Sequence, residues 1–335
     1  MSDPTTATSA MQALADGVVA GERRALGRAI TLIESQRADH QLQANELLSL
    51  LLPQSGKAIR LGITGPPGAG KSTFIEAFGL HLVATGKRVA VLAIDPSSVR
   101  SGGSILGDKT RMEELSRDSN AFIRPSPSGG TLGGVARRTR ETMLVCEAAG
   151  YDIVIIETVG VGQSETAVAA MVDMFLLLLS PGGGDELQGI KRGIMELADL
   201  VVVNKADGDL KAVAGRFAAE YAGALGLMRP STHLWQPEVL ICSAIEKRGM
   251  AEILAAILNH HQAFEAADSL FDHRADQARA WLWGEIEESL IDAFRRDSVV
   301  GKQLHHVEAE VAAGRMTPSV AARRLMAAFR GEKED

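Results

Sequence analysis

The chain has 335 residues, of which 46% are hydrophobic and 23% charged, with a formal net charge of −7. This composition is typical of a soluble globular protein, and the negative charge argues against general binding to nucleic acid. The longest apolar run, 174–179, is too short to span a bilayer, and the first residues show no signal-peptide pattern. Two cysteines without metal-binding spacing favour reduced thiols, so we expect a cytoplasmic protein without a membrane partner.

Residues 1–55 are predicted to form an N-terminal helical segment, because Leu14, Val18, Leu26 and Ile30 recur at helical spacing. Residues 56–265 then alternate helix-length segments with apolar, strand-like runs. These runs are 59–64, 89–94, 153–158, 174–180, 200–204 and 239–243. Buried strands alternating with helices predict an α/β domain whose mainly parallel sheet is covered by helices on both faces.

Residues 266–335 show no strand pattern and are predicted to be helical. Trp283, Leu290 and Phe294 lie on one side of a predicted helix, and Thr317 followed by Pro318 is a typical helix start. The region is too small to bury its own core well. We therefore expect it to pack on the central domain or on a second copy of the chain.

The first predicted strand runs directly into the sequence GPPGAGKST, which has the GxxxxGK[ST] pattern between a strand and a helix. Glycines let backbone N–H groups converge on phosphate oxygens, and the following helix adds its positive N-terminal end. Lys71 is predicted to reach the β and γ phosphates and the Ser72 hydroxyl to bind Mg²⁺. The nucleotide-binding residues predicted here are Gly65, Pro66, Pro67, Gly68, Ala69, Gly70, Lys71, Ser72 and Thr73.

Acidic residues after the second strand are candidates for the magnesium side of this site. Asp95 stands where a parallel strand ends, and we expect it to order the Mg²⁺ shell or the attacking water. The alternative is that Asp95 only caps the next turn. In the glycine-rich stretch 102–111, Asp108 is a candidate metal-side carboxylate and Arg111 a candidate phosphate-side cation, against the alternative of a solvated surface loop.

The sequence ETVG at the end of the 153–158 run has the DxxG form of GTPases with glutamate in the first position. Glu157 is predicted to hold Mg²⁺ through water, and the Gly160 amide to sense the γ phosphate, so that the loop relaxes when the phosphate leaves. Small GTPases have a water-orienting glutamine in the next position, where this chain has Val161. We therefore expect slow hydrolysis by the chain alone. Gln163 is nearby, but its spacing assigns it no role.

The tetrapeptide NKAD follows the fifth predicted strand. The Asp207 carboxylate is predicted to accept hydrogen bonds from N1–H and the 2-amino group of guanine, with Asn204 and Lys205 as further binding residues. Adenine lacks that amino group and would leave the acid unpaired, which costs roughly 1–3 kcal/mol. Ser243 and Ala244, after the next strand, are predicted to supply backbone contacts on the base side.

Together these stretches resemble one family. GPPGAGKST at 65–73, DPSS at 95–98, ETVGVGQSE at 157–165, PGGGDELQGIKRG at 181–193 and NKAD at 204–207 are similar to the motifs of the MeaB/ArgK group of G-protein chaperones. Those chaperones accompany adenosylcobalamin-dependent methylmalonyl-CoA mutase. The resemblance covers about residues 15–330, and glutamate at position 157 is the form that this family has.

The resemblance implies the signal-recognition-particle and MinD-like branch of P-loop folds, with a C-terminal helical arm that forms a homodimer. It implies that GTP binding and hydrolysis gate adenosylcobalamin loading onto the mutase and the release of damaged cofactor. The cobalamin adenosyltransferase is a further candidate partner. Mg²⁺ with GTP or GDP is expected, without a tightly held organic cofactor.

The resemblance also implies an extra switch loop at 181–193, in which Gln188 and Lys191 swing toward the phosphates. Lys191 would then supply a positive charge that helps catalysis. The residues alone favour a plain connection between a strand and a helix with surface charges.

Two other functions stay open from the sequence. A metal-insertion GTPase of the nickel-chaperone type would need a Cys/His cluster near the switches, and no such cluster is visible in the sequence. A P-loop kinase would transfer phosphate to an acceptor other than water. The NKAD tetrapeptide argues against it, because most such kinases use ATP.

Overall fold

The computed structural model describes residues 4–94, 112–125, 132–158, 164–181, 192–228 and 232–331. It divides into two compact units, one that ends at Ala275 and one that begins at Asp276. The domain boundaries expected at residues 55 and 265 stay predictions.

The first unit is built on a seven-stranded sheet, in which every described strand pairing is parallel. The strands are β1 (Ile59–Thr64), β2 (Val89–Ile94), β3 (Ala121–Arg124), β4 (Ile153–Thr158), β5 (Met174–Leu179), β6 (Leu200–Val203) and β7 (Glu238–Ile241). Their order across the sheet is β3-β2-β4-β1-β5-β6-β7. Because β1 lies at the centre, the loop that follows it opens in the middle of the carboxyl edge of the sheet.

Thirteen α-helices lie in the described residues. They are α1 (Pro4–Val19), α2 (Arg23–Ile33), α3 (Ala38–Leu51), α4 (Lys71–Ala84), α5 (Glu113–Arg117), α6 (Leu132–Ala148), α7 (Ser164–Ala169), α8 (Arg192–Leu197), α9 (Leu210–Gly226), α10 (Met250–Ala266), α11 (Ser269–Arg296), α12 (Ser298–Ala312) and α13 (Pro318–Arg330). None of these helices has the length and apolar character needed to cross a membrane.

The helices cover the sheet on both faces, as the continuous burial of β1, β2, β4, β5 and β6 requires. Alternate residues of β4 face the two helical layers. Val154 and Ile156 share a core with α1, α2, α3 and α6, whereas Ile153 and Ile155 share the core that includes α4 and α10. The predicted α/β fold with a parallel sheet between two helical layers is therefore confirmed.

The edge strand β3 was absent from the sequence prediction. It has only four residues, which lie between Asn120 and Pro125, and its last residue, Arg124, is polar. A run of three apolar residues has no useful periodicity. What defines β3 is its pairing with β2, where Val91 is aligned with Ile123.

A network of buried charges lies at the amino edge of the sheet. Arg274, in the first turns of α11, donates to both carboxylate oxygens of Asp173 at 2.8 and 2.6 Å and to the carbonyls of Gly56 and Ala58 at 2.6 and 2.7 Å. The Asp173 side chain is 2% exposed and also accepts from the backbone N–H of Arg60 at 2.8 Å. Every oxygen of this buried carboxylate is thus satisfied by neighbours from distant parts of the chain.

Replacing Arg274 with methionine should destabilise the first unit by about 3–5 kcal/mol, because Asp173 would stay buried without its cation. Urea unfolding measures this loss. Arg37→Met is the matched control, since Arg37 pairs with Asp39 at an exposed site and its loss should change stability little. Adding Asp173→Asn to Arg274→Met should recover part of the loss. Equal stability of the Arg274→Met and wild-type chains would contradict this account.

Burial shifts the pKa values of two titratable groups in the first unit, Asp199 and His260. Burial raises the pKa of Asp199 to about 6, although its carboxylate accepts from the Phe175 N–H at 2.8 Å. Burial lowers the pKa of His260 to about 4. The His260 ring stacks on Phe264 at 4.5 Å, meets Trp235 edge-on at 5.1 Å, and its Nε2 has no hydrogen-bond partner within the described ranges.

These shifts predict opposite pH dependences of stability. The contribution of His260 is complete above its ordinary pKa of 6.5 and is lost as the pH falls toward 4, whereas that of Asp199 is complete below its ordinary pKa of 3.8 and is lost as the pH rises through about 6. Wild type should lose stability as the pH falls from 6 to 4.5, and His260→Leu should not. The free energy of unfolding of His260→Leu relative to wild type should therefore rise by about 1.4 kcal/mol for each unit by which the pH falls in that range. Urea unfolding at three pH values tests this, with Asp199→Asn expected to change the slope in the opposite direction.

The second unit contains the later part of α11 with α12 and α13. Asp297 caps α12 by accepting from the N–H groups of Val299 and Val300 at 2.9 Å each. The helix predicted at Pro318 begins there, but the Thr317 side chain makes no capping hydrogen bond. The core of this unit consists of Val300, Val307, Ala321 and Leu325, with five partly buried apolar residues around them.

Candidate nucleotide-binding site

The glycine-rich loop connects β1 directly to α4. A Cβ on Gly65 would lie 2.1 Å from the Leu178 carbonyl oxygen, so only glycine fits between the loop and β5. Gly68 and Gly70 have φ values of +86° and +88°, in the region that favours glycine. The Gly70 carbonyl accepts from the Phe74 N–H at 2.8 Å and starts α4. The loop therefore curves over the amino end of α4, as a phosphate-binding loop must.

Lys71 is the first residue of α4, and its side chain folds back over the loop. Its Nζ donates to the carbonyls of Gly65 at 2.6 Å and Pro66 at 3.2 Å. Burial lowers the pKa of this ammonium group, while the carboxylates of Glu157 and Glu165 act in the opposite direction. The charge is thus held directly above the loop by groups that a phosphate could replace.

Ser72 and Glu157 meet beside this loop, although they are 85 positions apart in the sequence. The Ser72 hydroxyl donates to a Glu157 carboxylate oxygen at 3.4 Å, and Glu157 is 4% exposed at the end of β4. A hydroxyl and a carboxylate are hard oxygen donors, which suit Mg²⁺. This pair therefore fits a magnesium ion that keeps several waters. In the part of the chain that the structure describes, no group of three or more His, Cys, Asp or Glu side chains could hold a metal by itself.

The base-side segments lie next to the phosphate loop. Asn204 follows β6 and bridges two other segments, since its amide nitrogen donates to the Ala69 carbonyl at 3.1 Å and its amide oxygen accepts from the Ala244 N–H at 3.0 Å. Asp207 accepts from the Ser243 hydroxyl at 2.6 Å. The residues predicted to contact the phosphates and the base thereby lie close together at one edge of the sheet. The structure brings together residues 65–73, 157, 204–207 and 243–244.

Seven of the predicted site residues lie outside the described residues. They are Asp95, Asp108, Arg111, Gly160, Gln163, Gln188 and Lys191. Their expected roles stay predictions. Glu165 is the last residue of the ETVGVGQSE motif, and the sequence predicts no role for it. Its 1% exposure and its effect on the pKa of Lys71 become visible only in three dimensions.

Comparison with known proteins agrees with this geometry. The family model described as methylmalonyl Co-A mutase-associated GTPase MeaB matches residues 26–298. The chain belongs to the MeaB family. The resemblance inferred from the motifs is therefore confirmed, and GTP hydrolysis is the activity that this membership supports.

Individual relatives of this MeaB-family chain match between 81% and 98% of its length. GTPase ArgK of Escherichia coli is 54% identical over 81% of this chain and 82% of its own. The mouse protein named methylmalonic aciduria type A homolog, mitochondrial, is 50% identical over 94% of this chain and 78% of its own. A crystal structure of a LAO/AO transport system kinase superposes with a TM-score of 0.77, at 40% identity over 98% of this chain and 99% of that one.

Proposed function

We propose that this MeaB-family GTPase serves methylmalonyl-CoA mutase as a chaperone that gates adenosylcobalamin loading and protects or reactivates the enzyme. The observation that carries the proposal is the match of 273 of the 335 residues, 26–298, to a family described as mutase-associated GTPases. The name of the mouse relative, which refers to methylmalonic aciduria, supports the same connection. The phosphate loop and the base-side segments would provide the nucleotide site that such a cycle needs.

The contacts suggest a role for each described group in hydrolysis. Bound Mg²⁺ would supply positive charge to the β and γ phosphates, and Ser72 and Glu157 would hold it, Glu157 through water. Lys71 would exchange its two loop carbonyls for phosphate oxygens. A water oxygen then bonds to the γ phosphorus as the bond to the bridging oxygen breaks, which yields GDP and phosphate.

The predicted helper for hydrolysis remains part of this proposal. Val161 follows Gly160, so this chain has no glutamine where small GTPases orient the water. We propose that contact with the mutase moves Lys191 and Gln188 toward the phosphates, with Asp95 and Asp108 completing the magnesium side. Stimulation by the partner is the measurable consequence.

Turnover of GTP by the full-length chain with and without the mutase tests the proposal. The rate should rise with added mutase, and differ between its cofactor-free and cofactor-loaded forms. The same assay with the cobalamin adenosyltransferase in place of the mutase tests this second candidate partner. An unchanged rate, together with no co-elution with the mutase, would overturn the chaperone proposal. Transfer of labelled γ phosphate to an acceptor other than water would favour a kinase, and tight stoichiometric nickel binding a metal-insertion GTPase.

We also propose that the C-terminal helices form a homodimer in the cytoplasm. The second part of α11 exposes large apolar side chains, with Trp283 64% and Leu290 57% exposed in the single chain. Both cysteines are free and buried, which suits a reducing compartment. Sedimentation of the full-length chain should give a dimer mass, and a monomer mass at micromolar concentration would contradict this.

A further inference from the structure

A tight turn after β7 holds the predicted base-contacting residues. Ser243 and Arg248 form an antiparallel bridge in which each N–H donates to the other carbonyl, at 3.1 and 3.0 Å. Gly249 closes the turn with φ +87°, and a Cβ there would lie 2.6 Å from the Ile241 carbonyl oxygen. The turn therefore has one geometry, which fixes where Ser243 and Ala244 point.

The Arg248 side chain connects this turn to the NKAD segment. One guanidinium nitrogen donates to the Ala206 carbonyl, and another pairs with Glu246 at 2.8 Å. Glu246 in turn donates its backbone N–H to the Ser243 hydroxyl at 3.1 Å, and that hydroxyl donates to Asp207. Arg248 thus contacts the Ala206 peptide, which precedes Asp207, and Glu246, whose N–H holds the Ser243 hydroxyl against the Asp207 carboxylate. It does not contact that carboxylate directly.

The Ala206 carbonyl belongs to the peptide that leads into Asp207, so its orientation sets the direction of the Asp207 side chain. The preceding peptide is also held, because the Ala206 N–H donates to the Cys242 carbonyl at 3.0 Å. Lys205 has φ +58°, a strained value for a residue with a side chain, and such a backbone persists only where its surroundings hold it. Loss of the Arg248 contact would free the peptide that orients Asp207.

We propose that Arg248 is a positioning residue for guanine recognition, acting on Asp207 through the Ala206 carbonyl and the Ser243 turn. This inference deepens the proposed function and rests on the role of Asp207 as the acceptor for guanine. The chemistry that Arg248 controls is the contact with the 2-amino group, which distinguishes GDP from inosine diphosphate. An arginine without these contacts to Ala206 and Glu246 would not influence that difference.

The test compares the dissociation constants of GDP and inosine diphosphate, with Mg²⁺, for full-length wild type, Arg248→Met, Arg248→Lys and Lys247→Met. In Arg248→Met the preference for GDP over inosine diphosphate should fall about three- to tenfold, because a hydrogen bond to a charged group loses its fixed geometry. Arg248→Lys should recover part of the preference, since an ammonium group can still donate to Ala206. Lys247→Met, which removes an exposed neighbour in the same turn, should keep it.

The ratio separates positioning from general damage. Equal weakening of both nucleotides in Arg248→Met, or no change at all, would overturn the proposal, because neither affects the 2-amino contact selectively. If Arg248→Met does not fold, Arg248→Gln gives the same comparison. A wild-type ratio near one would refute the guanine contact of Asp207 itself, and hence this proposal, while the mutase-stimulation test would still decide the chaperone function independently.

Discussion

Replacing Asp207 with asparagine should transfer the preference of this GTPase from guanine to xanthine nucleotides. The carboxylate is expected to accept from N1–H and the 2-amino group of guanine, and an amide offers only one acceptor for these two donors. Xanthine has a carbonyl at C2, which can accept from the amide nitrogen while N1–H donates to the amide oxygen. Binding of GDP should weaken by about 10²-fold and binding of xanthosine diphosphate should gain a similar factor.

The surroundings of Asp207 allow this exchange without loss of the fold. The Ser243 hydroxyl, which donates to the carboxylate at 2.6 Å, can equally donate to an amide oxygen or accept from an amide nitrogen. Competition between the two diphosphates in a fluorescence assay measures the effect. Asp209→Asn, an exposed acid two residues further on, is the matched control and should leave the preference for GDP unchanged. A variant of Asp207 that still preferred GDP would show that guanine is recognised elsewhere.

The strands and the phosphate loop could be predicted because their signals are local. In the strand 59–64 the apolar residues Ile59, Leu61 and Ile63 recur at every second position, and the glycines that the loop needs follow the strand without interruption. The predicted start of a helix at Pro318 follows from two adjacent residues. In contrast, β3 depends on its pairing with β2, which a four-residue segment does not encode by itself.

The segments that form the site could be predicted from the sequence, but the contacts between those segments could not. Nothing in the sequence indicates that Asn204 donates to Ala69, because 135 positions separate them. Burial of Glu165 and the contact from Arg248 to Ala206 also depend on how distant loops pack. The pair of Arg274 and Asp173 is a similar case, since it joins α11 to the amino end of β5 over 101 positions. Such contacts arise from the topology of the sheet, which brings strand ends together.

Replacing Lys71 with methionine should lower the rate of GTP hydrolysis by about 10²–10³-fold, the usual cost of removing one preorganised charged donor from a transition state. Lys71 already lies over the loop, with its Nζ 2.6 Å from the Gly65 carbonyl and 3.2 Å from that of Pro66. Methionine keeps the length of the side chain but cannot donate to a phosphate oxygen. Because negative charge moves toward the bridging oxygen as the γ phosphate leaves, hydrolysis should suffer more than GDP binding.

Single-turnover hydrolysis of GTP, measured beside the dissociation constant of GDP, separates these two effects. Lys57→Met provides the matched control, since Lys57 is exposed just before β1 at the opposite edge of the sheet. The Lys57→Met chain should hydrolyse GTP at the wild-type rate. Melting temperatures exclude a loss of fold as the cause. The ammonium group already lies over the loop, so the arriving nucleotide needs to replace only its two carbonyl contacts. A Lys71→Met chain that hydrolysed GTP at the wild-type rate would mean that another cation carries this charge, and Lys71 would then serve only to support the loop.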